Sequence, residues 1–295
     1  MDNKLYIIKE LANFTNNALS NTAKQDALVA LESGKVLFFP EHAYMLSPEE
    51  SSLLNPNLYA PTHKNISFDH KFLSGLSSNT CAALKLRLQK LMQNYAKFAQ
   101  SLAITVLNKY QEHLILGRTS YRPIEIHGRI YSKRKDDRRL HIDSFPATPV
   151  YGRRILRVFC NINPYGKPRT WHVGEAFIKI LARFANDLPS YSKLRAKIMH
   201  GLKITKMLRS PYDHYQLKLH DYMKLNDAYQ ADVDKQRIDF PAQSTWLAFT
   251  DQVSHAALGG QFLLEQTFYL PVEAMANPLL SPLLAWRQYK STQLI

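Results

Sequence analysis

The chain has 295 residues, 45% hydrophobic and 21% charged, an ordinary balance for a globular protein long enough to bury a sizeable core. Its 38 Lys and Arg outweigh 24 Asp and Glu, and the resulting +14 favours anionic partners: nucleic acid, acidic lipid or an acidic sugar. There is no run of roughly 18 apolar residues to span a membrane, no secretory signal in MDNKLYIIKE, and with only Cys81 and Cys160 no disulfide framework or all-cysteine zinc site.

Residues 23–33 have a helical pattern and lead into KVLFFP at Lys35–Pro40, a short apolar run that reads as a buried strand. Loop signals fill Ser47–Ser78, where Pro48, Pro56 and Pro61 stand among Asn and Ser residues. A long helix is predicted next, because Leu84, Leu88, Leu91, Tyr95, Phe98, Leu102 and Val106 recur at steps of three and four. Asn79 or Thr80 is placed to cap its start, and Gly117 lies just past its end.

The texture then turns to strands. Arg122, Ile124, Ile126, Gly128 and Ile130 alternate with Glu125, His127, Arg129 and Tyr131, which predicts one strand. RRILRVFCNINP at Arg153–Pro164, STWLAF at Ser244–Phe249 and QFLLEQTFYLP at Gln261–Pro271 predict three more. A helical stretch from about Glu175 to Gln236, broken near Pro189, Gly201 and Pro211, separates the two groups. The expected fold is a mainly β core with flanking helices, an antiparallel sandwich or barrel, and a double-stranded β-helix (jelly roll) with helical N-terminal support and a helical insertion fits this pattern. The chain reads as a single catalytic domain. Residues 1–117 form the support and first strand, 118–275 the jelly-roll core with its insertion at about 175–236, and 276–295 a C-terminal tail.

Most of the eleven histidines need no functional account. His141 and Asp143, in LHIDSF, differ because residues i and i+2 of an extended segment face one point. His255 follows about a hundred residues later, flanked by strands. Two histidines and one carboxylate from facing strands form the facial triad of non-haem Fe(II) oxygenases, which leaves up to three positions for a co-substrate and dioxygen. A cupin-like metal site or a two-histidine hydrolytic zinc stays open on these residues alone. A structural zinc is disfavoured, since neither cysteine neighbours a histidine.

If 2-oxoglutarate is the co-substrate, its distal carboxylate calls for a guanidinium. From Ala256 to Trp286 there is no Lys or Arg, so that cation must come from elsewhere. Arg157 shares a face with Ile155 and Phe159, and Arg122 with Ile124 and Ile126. Each is a candidate anchor, with a salt bridge to a protein carboxylate as the alternative. Trp171, in PRTWHVGE, is placed to wall the pocket or to pack in the core. Asn161 and Gln266 are further polar candidates.

LHIDSFPATPVYGRRILRVFCNINPYGKPRTWHVGEAF, QVSHAALGGQFLLEQTFYLPV and GKVLFFP together resemble the 3-deoxy-D-manno-oct-2-ulosonic acid (Kdo) 3-hydroxylase family, from about Gly34 to Val272. The resemblance implies an Fe(II)- and 2-oxoglutarate-dependent dioxygenase that hydroxylates carbon 3 of Kdo in the lipid A-linked inner core of lipopolysaccharide, giving Ko. It implies metal ligands at His141, Asp143 and His255, with Arg122, Arg157 and Trp171 at the co-substrate. The basic residues Lys193, Arg195, Lys197, Lys203, Lys206 and Arg209, with no acid between Tyr191 and Arg209, then suggest docking on an anionic membrane surface. The expected location is the cytoplasm, peripheral to the inner membrane. Two rivals fit the same charge: another 2-oxoglutarate oxygenase, such as a nucleic-acid dealkylase, or a non-catalytic lipid- or nucleic-acid-binding protein. The chain carries no zinc-finger, helix-turn-helix or aromatic RNA-binding signature, which counts against nucleic acid.

Overall fold

The computed structural model describes residues 4–8, 19–60, 63, 65–290 and 294–295. Eight strands form one sheet in the order β1 (Leu5–Ile7), β2 (Val36–Phe39), β9 (Ser244–Phe249), β6 (Arg154–Asn161), β11 (Leu263–Leu270), β5 (Ile115–Arg122), β3 (Ile66–Phe68) and β4 (Leu73–Ser74). Three form a smaller sheet in the order β10 (His255–Gly259), β7 (Arg169–Val173) and β8 (Gln236–Phe240). All pairings are antiparallel except β1 with β2. The helices are α1 (Asn21–Glu32), α2 (Pro48–Ser51), α3 (Ala82–Val106), α4 (Phe177–Phe184), α5 (Lys193–Gly201), α6 (Pro211–Leu225), α7 (Asp227–Asp232) and α8 (Pro282–Arg287).

Period-two alternation gives the large sheet two working faces. Val158 and Cys160 of β6 and Leu264 and Phe268 of β11 join the core under α3, whose Leu88, Leu91, Tyr95, Leu102 and Val106 are buried. The Tyr95 hydroxyl donates to the Val158 carbonyl at 2.9 Å, tying the helix to the strand beneath it. On the opposite face Phe159, Trp246 and Leu263 meet Trp171, Ile238 and Phe240 of the small sheet. Trp246 stacks on Phe240 with centroids 4.0 Å apart and meets Trp171 edge-on at 5.6 Å. This aromatic plug closes one end of the space between the sheets. Arg157 and Glu265 occupy the same face as Phe159 and Leu263, farther along their strands, where the space stays open.

This is the sheet-rich, helix-braced architecture expected of a jelly-roll oxygenase, but several local expectations change. The strand predicted from Arg122 ends there: β5 lies upstream, and 123–131 form turns and coil. Pro123 has no N–H to continue the ladder, so Ile124 and Ile126 do not share a strand face with Arg122. Gly117 lies inside β5 rather than behind a helix, where a Cβ would meet the Thr267 carbonyl at 2.8 Å. Cys81, not Asn79 or Thr80, holds the cap position of α3, without a side-chain cap bond. The span 47–78 carries α2, β3 and β4 besides loops, and its Pro61 lies outside the described residues. The stretch 175–236 holds α4–α7, with α5 ending on Gly201 and α6 starting on Pro211. Residues 276–295, read as a tail, carry α8, whose buried Trp286 donates through Nε1 to Gln216 at 2.9 Å. Among the described residues, no helix is long and apolar enough to cross a membrane.

Candidate active site

β10 opens on His255, whose backbone exchanges both hydrogen bonds with His141 at 2.8 and 3.0 Å. His141 thereby extends the edge of the small sheet. Two residues on, the Asp143 N–H donates to the Thr250 carbonyl at 2.7 Å, which fixes the carboxylate beside both imidazoles. Each ring Nδ1 lies 2.8 Å from a backbone carbonyl, that of Arg139 for His141 and that of Val253 for His255. A carbonyl can only accept, so Nδ1 carries the proton and Nε2 keeps its lone pair. One donor atom from each of His141, Asp143 and His255 lies within 4.8 Å of the other two, and all three residues are buried.

Electrostatics suit a cation at that point. Burial, reinforced by Lys224, pushes His141 well below the usual imidazole range, and burial lowers His255 as well. Both rings are therefore neutral, the state in which an imidazole can ligate a metal. Burial alone would raise Asp143, but Arg157, the two imidazoles and Thr250 outweigh it and hold the carboxyl well below its usual range. Asp143 Oδ2 lies 3.2 Å from Arg157 Nε, yet the pair lacks hydrogen-bond alignment, so both buried atoms stay without a hydrogen-bond partner. Two neutral imidazoles and one carboxylate with an oxygen to spare fit a divalent metal of the facial-triad kind, Fe(II) included.

The three donors line a cavity of about 380 Å³ that also takes in Arg122, Arg157 and Trp171. All six predicted site residues thus surround one space. The arginines are not free: Glu265 bridges them, Oε1 to Arg157 Nη1 at 2.9 Å and Oε2 to Arg122 Nη2 at 3.0 Å. Burial opposes the Glu265 charge, and the two guanidiniums overcome it, lowering its pKa. Trp171 stacks on the His255 ring at 4.9 Å, a wall and a core residue at once. Asn161 and Gln266 do not take part. Asn161 donates to the carbonyls of Lys167 and Phe240, and Gln266 bonds Thr119 and Gly117, which fixes a loop and a strand pair instead.

Glu265 was not among the predicted site residues; the signal that could have found it is a lone acid in an apolar strand, with period two placing it beside Leu263. Lys224, paired with Asp137 at 3.0 Å, and His220 reach the cavity from α6. No local pattern marks those two, because only the fold brings α6 over the sheet edge.

The model of the 3-deoxy-D-manno-oct-2-ulosonic acid (Kdo) hydroxylase family matches residues 15–292. The chain belongs to the Kdo hydroxylase family. Solved structures of the Kdo hydroxylase KdoO, described as a non-heme Fe(II) α-ketoglutarate-dependent dioxygenase, agree with it throughout. The apo structure is 40% identical with a TM-score of 0.92, and matched regions cover 99% of this chain and 97% of that one. The complex with α-ketoglutarate (2-oxoglutarate) and Fe(III) gives the same identity and coverage with a TM-score of 0.93. So does the cobalt(II) complex. No curated protein sequence matches the chain. Membership of the Kdo hydroxylase family favours the oxygenase reading over a nucleic-acid dealkylase or a non-catalytic binder.

Proposed function

We propose that this protein is an Fe(II)- and 2-oxoglutarate-dependent dioxygenase that hydroxylates carbon 3 of Kdo in the lipid A-linked inner core of lipopolysaccharide, giving Ko. The observation that carries the reading is the buried His141, Asp143 and His255 cluster, opening on a cationic cavity in a chain of this family. In this reading the three residues hold Fe(II), and Arg157 and Arg122 receive the distal carboxylate of 2-oxoglutarate. The bound metal, with 2-oxoglutarate and dioxygen, supplies the oxidation, in which succinate and carbon dioxide leave and the sugar C–H becomes C–OH.

The chain's own residues supply geometry. The Arg139 and Val253 carbonyls keep each Nε2 turned to the metal. Glu265 holds both guanidiniums in place before the co-substrate arrives. Trp171, packed between His255 and Phe159, keeps water from the reacting side. Incubation with Fe(II), 2-oxoglutarate and air is expected to add one oxygen atom to the sugar of Kdo-linked lipid A, read by mass spectrometry. Unchanged lipid beside uncoupled consumption of 2-oxoglutarate would contradict the sugar assignment.

The lipid-linked substrate calls for a way to meet a membrane. On α5 only Ala196 is buried, and Leu194, Ile198 and Leu202 are 70%, 52% and 67% exposed among Lys193, Arg195, Lys197 and Lys203. That apolar and cationic face suits anionic lipid, with basic residues near a surface contributing about 1 kcal/mol each. The buried Arg209 is not part of it, since it donates to the Pro146 carbonyl. Lys206 joins this segment to a recess that shares Arg122, Arg157 and Glu265 with the main cavity. Replacing Lys193, Arg195 and Lys197 together by Gln is expected to weaken binding to anionic vesicles by about 100-fold, three charges' worth. Sedimentation with vesicles checks this, and unchanged binding would rule out α5 as the docking face.

A further inference from the structure

The inner face of the large sheet stays polar beyond the metal cavity. Ser67, Ser120 and Glu265 stand directly opposite one another across β3, β5 and β11, and Thr267 stands opposite Arg157 of β6. The alternate residues of the same strands, Ile66, Phe68, Tyr121, Leu264 and Phe268, belong to the buried core on the other side. Among the described residues the small sheet contributes nothing to this end, where a groove of about 470 Å³ remains. The groove shares Arg122, Phe145, Arg157 and Glu265 with the metal cavity, so the two spaces adjoin.

A polar sheet face turned to open water needs no explanation, but this one is recessed. Ser67, Ser120 and Thr267 are only 7%, 5% and 4% exposed, and no hydrogen bond among the described residues engages their hydroxyls. Buried hydroxyls are ordinarily hydrogen-bonded, so this floor calls for a polar partner from outside the chain. Phe145, edge-on to Tyr269 at 6.4 Å, adds an apolar wall. At the rim stand two cations, Arg118 and Lys206, which form no ion pair among the described residues. The acid beside them, Asp69, has its Oδ1 occupied by the N–H groups of Lys71 and Phe72. Hydroxyls, an apolar wall and unpaired cations together complement an anionic sugar, and the volume lies within the roughly 300–1,000 Å³ of small-ligand pockets.

We infer that this groove is a saccharide subsite, which receives the anionic sugar unit joined to the Kdo that is oxidised at the metal. Ser67, Ser120 and Thr267 exchange hydrogen bonds with that unit's hydroxyls, while Arg118 and Lys206 meet its phosphate or carboxylate. The inference rests on the hydroxylase reading of the adjoining cavity.

De-acylated Kdo-lipid A oligosaccharide tests this without a membrane, by calorimetry on protein loaded with Co(II) and 2-oxoglutarate, which binds without turnover. Arg118→Gln changes an exposed residue, and Thr267→Val removes a hydroxyl while keeping the side chain's shape. Each is expected to weaken oligosaccharide binding by about 10-fold, with affinity for 2-oxoglutarate held within twofold. Removing the phosphates from the oligosaccharide separates the two anions. A similar loss on the unsubstituted protein, with no further loss in Arg118→Gln, identifies phosphate. Unchanged affinity, with the Arg118→Gln effect retained, identifies the carboxylate of a neighbouring sugar acid. No binding by the unsubstituted protein, or equal binding by it and both folded variants, would overturn the inference. If the variants weaken binding as expected but the iron enzyme adds no oxygen to the sugar, the subsite stands and the hydroxylation reading fails.

Discussion

Replacing Glu265 with alanine is expected to destabilise the protein by about 3–5 kcal/mol, the cost of leaving a buried charge without its partner. Glu265 is 3% exposed and is the acid that Arg122 and Arg157 share, so the truncation strips a partner from two guanidiniums at once. Arg157 would keep its approach to Asp143, but Arg122 would keep no ion pair among the described residues. In thermal denaturation the loss should read as a drop on the order of 10 °C. Glu265→Gln retains an acceptor for the Arg122 hydrogen bond and should cost less. Saturating 2-oxoglutarate should restore part of the Glu265→Ala deficit, because its carboxylate supplies the missing negative charge. A melting point within 2 °C of the unsubstituted protein, without ligand, would show that the arginines do not depend on Glu265.

The second large effect concerns Asp143. Asp143→Ala should weaken divalent metal binding by more than the roughly 10- to 100-fold that loss of an outer-shell partner costs, and should take hydroxylation to background. It removes the single carboxylate of the donor set, and the two histidines then face a cation without an opposing charge. Stability should fall less than in Glu265→Ala, since Arg157 retains its 2.9 Å pair with Glu265. Anaerobic calorimetry with Co(II) checks the affinity. A dissociation constant unchanged within threefold would remove Asp143 from the ligand set.

The parts of the site legible in the sequence are those fixed by short-range geometry. His141 and Asp143 are two residues apart, and extended backbone turns both to one side whatever the rest of the chain does. Arg157 was placed by the alternation of β6, which held. Arg122 reached the right cavity for a wrong local reason: its predicted strand partners lie beyond Pro123, and β5 runs the other way from it. That strand, ILGRTSYR, has too little apolar alternation to announce itself and is held by pairing with β3 and β11 on its two sides. The short strands β7, β8 and β10 were unreadable for a similar reason. They carry Arg169, His172, Arg237 and Asp239 on a sheet only three strands wide, and their register is set by partners far away in sequence.

The cavity's charge pattern was the least legible feature. Nothing near Lys224 in sequence says that it meets Asp137. That pair exists only once α6 crosses the sheet edge. The family resemblance pointed to the sugar, and elementary geometry pointed to the candidate metal ligands.

The central claim is that His141, Asp143 and His255 hold Fe(II) with room for 2-oxoglutarate. Its most direct test is anaerobic absorption spectroscopy of protein titrated first with Fe(II) and then with 2-oxoglutarate. The protein should develop the weak visible metal-to-ligand charge-transfer band of a chelated 2-oxo acid, and folded His141→Ala should not. Absence of that band in folded, iron-loaded protein, or its persistence in His141→Ala, would contradict the assignment.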